Sequence, residues 1–309
     1  MRKITILAVI LALFFVTAAL AQDAINLPSP GLMPDNPFYF LDIWGEKIGL
    51  FFAFSHEAKI GKALTYSEEK LAETSALTQK GKVEKLPTAT GLYEKYVAVA
   101  NDETEDLGKE GKNVEDVSTK VAEATSKHLS VLEGVLAKVP EQAKDAIIKA
   151  MTVSMNGHNR ALLALAKENP NKATEINLET IKGRLERAKK MAEEGNTTEE
   201  ERAVEDFEEL NNLGQEISKI AQGLGKDTTT VEQLVGKATS YHLEVLAQVY
   251  EKVPDSAKSG IEKAMANSVK GHQQAVESLK KKNALDDVPA EAPIPEELPE
   301  AVKKRIQKP

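Results

Sequence analysis

Two segments decide the fold: Thr125-Ser126-Lys127-His128-Leu129-Ser130-Val131-Leu132 and Thr239-Ser240-Tyr241-His242-Leu243-Glu244-Val245-Leu246. They lie within a longer match, in which residues 117–165 reappear as residues 231–279 at a constant offset of 114 and without a gap. Of the 49 aligned positions 24 are identical, far more than unrelated sequences share. The chain therefore contains an internal duplication, the signature of a repeat architecture.

Each copy of the match has the pattern of a helical hairpin. Apolar residues recur at spacings of three and four from Val117 to Val139, as on an amphipathic helix. Pro140 ends this stripe, because proline disfavours helical geometry in the residue before it and suits the first turn of a new helix. A second stripe runs from Ala143 to Leu165, and Pro254 marks the same corner in the second copy.

The offset of 114 also holds upstream of each hairpin, where glycines occupy shared positions that are typical of helix ends. These glycines are Gly81, Gly111, Gly195 and Gly225. We therefore predict an all-α fold with two tandem repeats of about four helices each, forming helical bundles. The repeats cover residues 56–169 and 170–283, with Asn169-Pro170 at their junction. The sequence leaves open whether they pack side by side or end to end.

Composition supports helices and excludes several classes of protein. The 309 residues are 41% hydrophobic but only 5% aromatic, which suits helix-on-helix packing. Cysteine is absent, which excludes disulfides and thiolate metal sites. Without its first 21 residues the chain keeps 38 basic and 48 acidic side chains, a net charge near −10. A polyanion is repelled by such a chain, so we expect no nucleic-acid partner.

The N-terminus has the pattern of an export signal. Arg2 and Lys3 precede an uncharged run at residues 4–21, which ends in the small-x-small sequence Ala19-Leu20-Ala21. We predict a signal peptide at residues 1–21, cleaved after Ala21, and hence an extracellular or cell-envelope protein. The alternative is an uncleaved anchor, because the 18 uncharged residues approach the roughly 20 that span a bilayer.

Residues 22–55 lie outside the duplication and differ in kind from it. They contain five of the eight phenylalanines and the only tryptophan. Asp35 or Asn36 is placed to cap a helix with Pro37 in its first turn. The aromatic candidates for docking a partner or a membrane are Phe38, Tyr39, Phe40, Trp44, Phe51 and Phe52. One interpretation is that the helix docks on the first bundle and supplies its aromatic core; the other is a membrane-surface or partner-docking helix at residues 37–54.

Residues 284–309 form the second segment outside the duplication. Prolines alternate there with acidic residues ahead of Lys303-Lys304-Arg305. This composition predicts a disordered, mobile tail.

The N-terminal motif carries a family resemblance. The run Pro-Gly-x-x-Pro-Asp-x-Pro-x-Tyr-Phe at residues 30–40, followed by Lys70-Leu71-Ala72-Glu73, resembles an exported prokaryotic helical family catalogued as a domain of unknown function. The His-containing hairpin is similar to one that often follows that domain. The resemblance implies export and helices, and it brings no activity or catalytic residue with it.

Four histidines are the candidates for a metal site, since imidazole is a common ligand. They are His128, His158, His242 and His272. However, His128 lies 12 residues before Pro140 and His158 lies 18 after it, so a hairpin staggers them by about 9 Å at 1.5 Å per residue. The alternative is interior histidines hydrogen-bonded to Ser126, Ser154 or neighbouring groups.

No pattern indicates catalysis. Ser154 and His158 lie one turn apart, but the sequence shows no nucleophile elbow and no oxyanion site. The acidic run at residues 101–106 lacks the glycine and spacing of an EF-hand loop. Asn196-Thr197-Thr198 matches a glycosylation sequon. We predict neither an enzyme nor a cofactor.

The sequence therefore predicts an exported, non-enzymatic scaffold or interaction protein of the envelope or extracellular space. Its expected partner is a protein or another envelope component, and a homo-oligomer is compatible with the pattern. The alternative is a metal or small-ligand binding protein that uses the histidine hairpins.

Overall fold

The computed structural model describes residues 27–307, so the predicted signal peptide at residues 1–21 lies outside the described part. Between residues 27 and 307 the chain forms ten α-helices and one 3₁₀ turn. The helices are α1 (Tyr39–Phe51), α2 (His56–Gln79), α3 (Leu86–Lys109), α4 (Glu115–Leu136), α5 (Glu141–Glu168), α6 (Pro170–Glu193), α7 (Thr197–Gly223), α8 (Thr229–Lys252), α9 (Asp255–Lys282) and α10 (Glu300–Ile306), with the 3₁₀ turn at Val83–Lys85. The prediction of an all-α fold with tandem repeats is confirmed.

The helix boundaries repeat because the residues that set them repeat. Gly81 and Gly111 follow α2 and α3 with φ of 69° and 73°, a left-handed conformation that favours glycine at a helix end. Gly195 and Gly225 do the same after α6 and α7, with φ of 70° and 66°. At the junction of the repeats, the Asn169 side chain accepts a hydrogen bond from the Lys172 N–H at 3.0 Å and caps α6.

The helices pair into four consecutive antiparallel hairpins: α2 with α3, α4 with α5, α6 with α7, and α8 with α9. Each hairpin packs on the next one. Helices α2, α4, α6 and α8 form one layer, and α3, α5, α7 and α9 form the other. One buried apolar cluster runs through both repeats, from Met33 to Ile306. The two repeats thus pack as successive parts of one continuous two-layer array. The sequence had left open how they are arranged.

The two ends of this array are covered by segments outside the duplication. α1 packs on α2 at one end, and α10 packs on α9 at the other. Such capping is needed because the terminal hairpin of a repeat array has no neighbour on its outer side.

The prediction of a disordered C-terminal tail is wrong for residues 284–307. The apolar side chains Val288, Leu298, Val302 and Ile306 are buried against the array. Arg305 also donates two hydrogen bonds to the Glu262 carboxylate on α9, both at 2.6 Å. The spacing of four between Leu298, Val302 and Ile306 gives the tail one apolar face. The free energy gained by burial of that face exceeds the entropy cost of ordering this proline-rich segment.

Within residues 27–307, none of the helices combines the length and the apolar composition that crossing a bilayer requires.

Candidate docking surface on the first helix

Helix α1 carries its apolar side chains on the outside. Eight large apolar residues on or beside it are between 52% and 87% exposed. They form what we call the aromatic face: Phe38, Phe40, Leu41, Trp44, Ile48, Phe51, Phe52 and Phe54. Among the described residues, only Leu224 is another large apolar side chain with comparable exposure. A contiguous exposed apolar surface of this kind marks an interaction site.

The proline-rich motif sets the start of this helix. The prediction that Asp35 or Asn36 caps this helix is wrong, because the residue before α1 is Phe38 and no side chain caps the helix. The Asn36 side chain instead accepts a hydrogen bond from the Phe38 N–H at 2.8 Å in the turn that leads into α1. The prediction that Pro37 lies in the first turn is also wrong, because the helix begins two residues later, at Tyr39. Asp35 forms an ion pair with Lys82, and this contact fastens the motif to the turn after α2.

The inner side of α1 is polar and meets a buried lysine. Lys70 of α2 is fully buried, and its Nζ lies 3.0 Å from Asp42, 2.6 Å from Glu46 and 2.6 Å from Glu73. The Tyr39 hydroxyl donates to Glu73 at 2.6 Å, and the Tyr96 hydroxyl of α3 donates to Glu46 at 2.5 Å. We call these six residues the Lys70 cluster. Because a buried charge needs partners, the cluster holds the polar side of α1 inward.

The Lys70 cluster perturbs the ionisation of its members. Burial lowers the pKa of Lys70, but the hydrogen bonds that its ammonium group donates to Glu46 and Glu73 more than offset this effect and raise the pKa above its ordinary value. Burial raises the pKa of Glu73 to about 7, against the hydrogen bonds from Lys70 and Tyr39. Three carboxylates around one ammonium leave excess negative charge, which protonation of Glu73 reduces.

The second repeat has a buried cation at the position equivalent to Lys70. Arg184 lies 114 residues later and is also buried. It pairs with Glu133 of α4 and lies 3.9 Å from Asp206 of α7. In repeat 2, Glu133, the carboxylate that pairs with the buried cation, thus comes from α4 of the preceding hairpin. In repeat 1, two of the three carboxylates around Lys70 come from α1. Helix α1 therefore completes the partner set of α2 and α3, the first hairpin among residues 27–307.

The structure sorts the aromatic candidates into two groups. The interpretation that α1 supplies an aromatic core to the bundle is wrong, because Phe38, Phe40, Trp44, Phe51 and Phe52 all point to solvent. Tyr39 belongs to the Lys70 cluster and is buried, so it is removed from the docking candidates. The physical reason is the Lys70 cluster itself. Two of its carboxylates, Asp42 and Glu46, lie on the side of α1 opposite the aromatic face, and only one side can face α2.

The histidines occupy separate interior positions. His128 contacts the Tyr93 hydroxyl through Nδ1 at 3.3 Å, and its equivalent His242 packs edge-on against Phe207, with ring centroids 5.5 Å apart. His158 contacts the Ala122 carbonyl through Nδ1 at 2.9 Å. Ala122 lies six residues before His128, or about 9 Å along α4, as the hairpin geometry predicted.

His272 repeats the contact of His158, with its Nδ1 3.2 Å from the Gly236 carbonyl. Its Nε2 lies 2.9 Å from the Pro289 carbonyl of the tail. The predicted partners Ser126 and Ser154 bond elsewhere, to Thr180 at 2.8 Å and to the Thr125 carbonyl at 3.0 Å.

The four rings are not brought together. Burial lowers the pKa of His128 to about 3 and those of His158 and His242 to about 4, so these rings are neutral at pH 7. In the part of the chain between residues 27 and 307, no three His, Asp or Glu side chains are grouped as a metal site requires. The repeated histidines therefore act as packing residues of the hairpins in this structure.

The sequon asparagine Asn196 is exposed in the turn before α7. Its side chain accepts a hydrogen bond from the Glu199 N–H at 3.3 Å and so serves as the helix cap.

The fold defines a class of all-helical tandem-repeat proteins. A solved structure of similar fold is described as "Circular tandem repeat protein with novel repeat topology and enhanced subunit contact surfaces". The similarity has a TM-score of 0.55 at 12% sequence identity and covers 80% of this chain. This chain spans about half of that one, 52% of its length. At this identity the likeness concerns the fold alone.

A family model matches the N-terminal part of the chain. Residues 31–142 correspond to the family described as "Domain of unknown function (DUF5667)". The matched region begins within the proline-aromatic motif and includes α1 to α4, so it contains the aromatic face and the Lys70 cluster. No curated protein matches the chain.

Proposed function

We propose that this protein is a non-enzymatic helical scaffold of the cell envelope that lies on a lipid bilayer through the aromatic face of α1. One observation carries the proposal: α1 turns its carboxylates toward Lys70 and presents its aromatic side chains to solvent. A helix that only capped the array would bury these aromatic side chains, because their exposure to water costs free energy.

The chemistry of the aromatic face matches a bilayer surface. Tryptophan and phenylalanine are typical of interfacial helices. Asp42 and Glu46 are turned away from this face, whereas Lys47 is exposed on α1. A lysine there can extend its ammonium group to phosphate headgroups while its methylenes stay with the acyl chains. The face thus avoids the carboxylates that the headgroups would repel, although the whole chain is acidic.

The expected gain is sufficient for reversible binding. Transfer of a phenylalanine side chain from water to an apolar environment contributes roughly 1.5–3 kcal/mol. Insertion of Phe51, Phe52 and Phe54 would thus supply about 4–9 kcal/mol before the cost of immobilising the protein.

The predicted export signal agrees with this location. Cleavage after Ala21 would leave α1 close to the new N-terminus, and retention of residues 4–21 as an anchor would hold α1 beside the membrane. Either form presents the aromatic face to a bilayer, while the two-layer array extends away from it as a scaffold.

Vesicle co-sedimentation tests this proposal. The predicted mature chain, beginning at Gln22, is mixed with phosphatidylcholine vesicles, with or without phosphatidylglycerol. We expect lipid-dependent sedimentation that falls at least tenfold in Phe51→Ser/Phe52→Ser. Leu224→Ser is the matched control, because it removes an exposed apolar side chain far from α1 in sequence.

Absence of vesicle binding, or equal binding of the double variant, would refute the proposal. If the double variant instead abolished self-association in the absence of lipid, the aromatic face would be an interface between two copies of the chain. That outcome also contradicts a lipid-binding function.

A further inference from the structure

A row of alternating charges lies at the start of α2, directly after the aromatic face. The His56 ring lies between two carboxylates: its Nδ1 is 2.7 Å from Glu103 of α3, and its Nε2 is 3.2 Å from Glu110, the residue that follows α3. Lysines continue the row at both ends, with Lys59 2.8 Å from Glu103 and Lys112 2.8 Å from Glu110. We call these five residues the His56 row.

The geometry of the His56 ring requires a proton on each nitrogen. An ionised carboxylate only accepts hydrogen bonds, and a neutral imidazole has a single N–H to donate. Each carboxylate is also paired through its other oxygen with a lysine, which favours its ionised form. Both contacts of His56 are therefore hydrogen bonds only when the ring is an imidazolium. Because the carboxylates approach opposite nitrogens, the three groups do not converge on one metal ion.

The His56 row makes this proton sensitive to pH near neutrality. Hydrogen bonds to Glu110 and Glu103 raise the pKa of His56 from its ordinary value of 6.5, against the smaller effect of burial. The contribution of the imidazolium is therefore fully present below pH 6.5 and is lost as pH rises through the raised pKa. Exposed ion pairs of this kind add little to the stability of a fold. The consequence of the proton is a local change in charge and in hydrogen bonding.

The charges around His56 balance only when the ring is protonated. Glu57 of α2 lies within electrostatic reach of His56 and Lys112, so it belongs to the same group of charges. The group then has three carboxylates against two lysines, and the imidazolium makes the numbers equal. A neutral ring leaves one negative charge in excess.

This change in charge takes place at the edge of the aromatic face. His56 follows two residues after Phe54, which is 87% exposed, and two residues span at most about 7 Å. The connection between them is fixed, because Ala53 is buried and the Ser55 hydroxyl accepts a hydrogen bond from the Ala58 N–H at 3.1 Å. The distance is shorter than the Debye length of about 10 Å in 0.1 M salt, so the charge acts on whatever the phenylalanines contact.

The duplication shows that the hairpin itself does not need the His56 row. Four of its five positions carry no titratable side chain in repeat 2: His56, Lys59, Glu103 and Glu110 correspond to Pro170, Ala173, Ile217 and Leu224. Helices α6 and α7 nevertheless pair in the same way as α2 and α3. The row is thus a feature of the repeat that carries α1.

We propose that His56 is a proton-controlled latch, through which the aromatic face binds anionic bilayers more strongly at acid than at alkaline pH; this inference rests on the proposed function. With its proton, the ring fastens the segment after α1 to the end of α3 and leaves no excess charge beside the phenylalanines. Without it, one hydrogen bond is lost and the excess carboxylate is repelled by the headgroups. One charge at an anionic surface corresponds to about a fivefold change in binding.

Vesicle co-sedimentation at pH 6 and pH 9 tests the latch. The predicted mature chain is mixed with vesicles that contain phosphatidylglycerol, whose phosphate charge is constant over this range, and is expected to bind more strongly at pH 6. Glu73 contributes to this dependence, because its raised pKa of about 7 also falls within the range. The share of His56 is therefore measured by comparison with variants of His56.

Two variants and a control isolate that share. His56→Arg keeps the charge and should bind about fivefold more tightly than the wild type at pH 9, whereas His56→Gln should bind about fivefold more weakly at pH 6. Asn212→Arg adds the same charge at an exposed position of α7 and should leave the ratio of binding at the two pH values unchanged.

An NMR titration of the histidine rings tests the latch without lipid. The His56 signals should titrate with a midpoint above 6.5, and this midpoint should fall in Glu103→Gln/Glu110→Gln. Absence of vesicle binding at both pH values would contradict the proposed function and the latch with it. Vesicle binding with the same pH dependence in the wild type and both His56 variants, or a midpoint at or below 6.5, would overturn the latch alone.

Discussion

Replacement of Lys70 with methionine removes the ammonium group that Asp42, Glu46 and Glu73 contact at 2.6–3.0 Å. Methionine keeps a similar length and apolar stem, so the change is mainly one of charge. Breaking a buried ion pair by removal of one partner costs about 3–5 kcal/mol, because the remaining charge is left without compensation. We expect this loss to fall on the docking of α1, since two of the three carboxylates belong to that helix.

Hydrogen exchange measured by mass spectrometry reports the docking directly. A loss of 3–5 kcal/mol corresponds to a roughly hundredfold to several-thousandfold increase in the population with α1 detached. Peptides within residues 39–51 should therefore exchange at least a hundredfold faster in Lys70→Met, while peptides from α8 and α9 keep their wild-type rates.

Lys80→Met is the matched control, because Lys80 lies just after the same helix but is exposed. It should leave the exchange of α1 unchanged. Wild-type exchange of α1 in Lys70→Met would refute the reasoning, since it would mean that apolar contacts alone hold the helix. Faster exchange throughout the array would also contradict it, because the cluster would then support the whole fold.

Burial raises the pKa of Glu73 from 4.5 to about 7. The favourable contribution of protonated Glu73 to the docking of α1 is therefore present below pH 4.5 and is lost as pH rises through 7. The free energy of protection of residues 39–51, obtained from hydrogen exchange corrected for the intrinsic rate, should be up to about 3 kcal/mol lower at pH 8 than at pH 5. Glu73→Gln should remove this pH dependence. Burial lowers the pKa of His158 from 6.5 to about 4. The contribution of the neutral ring to the free energy of unfolding is therefore present above pH 6.5 and is lost as pH falls toward 4. Between pH 6.5 and pH 4, the free energy of unfolding measured with urea should fall by roughly 3 kcal/mol less in His158→Gln than in the wild type. An unchanged pH dependence would contradict the lowered pKa of His158. Truncation after Asn283 removes four buried aliphatic side chains and should lower the free energy of unfolding by roughly 4–11 kcal/mol, less the cost of ordering the tail, whereas a disordered tail could be deleted without effect.

The helices of the array were predictable because their signals are local and occur twice. Glycine at position 81 or 195 ends a helix through its own backbone conformation, whatever the helix packs against. Pro140 and Pro254 likewise make a corner without help from distant residues.

The orientation of α1 was not predictable from its periodicity. A stripe shows which residues share a face, but not which face meets the protein. The assumption that aromatic side chains turn inward failed because Lys70, 28 residues downstream of Asp42, attracts the other face. One signal was present in the sequence: the offset of 114 aligns Lys70 with Arg184, and two basic residues at one interior position imply carboxylates supplied from elsewhere.

The most direct test of the central claim uses the single tryptophan as a depth probe. Trp44 lies in the middle of the aromatic face and is 64% exposed in the free protein. Addition of vesicles that contain lipids brominated on the acyl chains should shift its emission to shorter wavelength and quench it, because the indole moves from water into contact with the bromine atoms. An emission spectrum that neither shifts nor is quenched at saturating lipid would show that α1 does not insert, and a scaffold seated on a bilayer through this helix would be excluded.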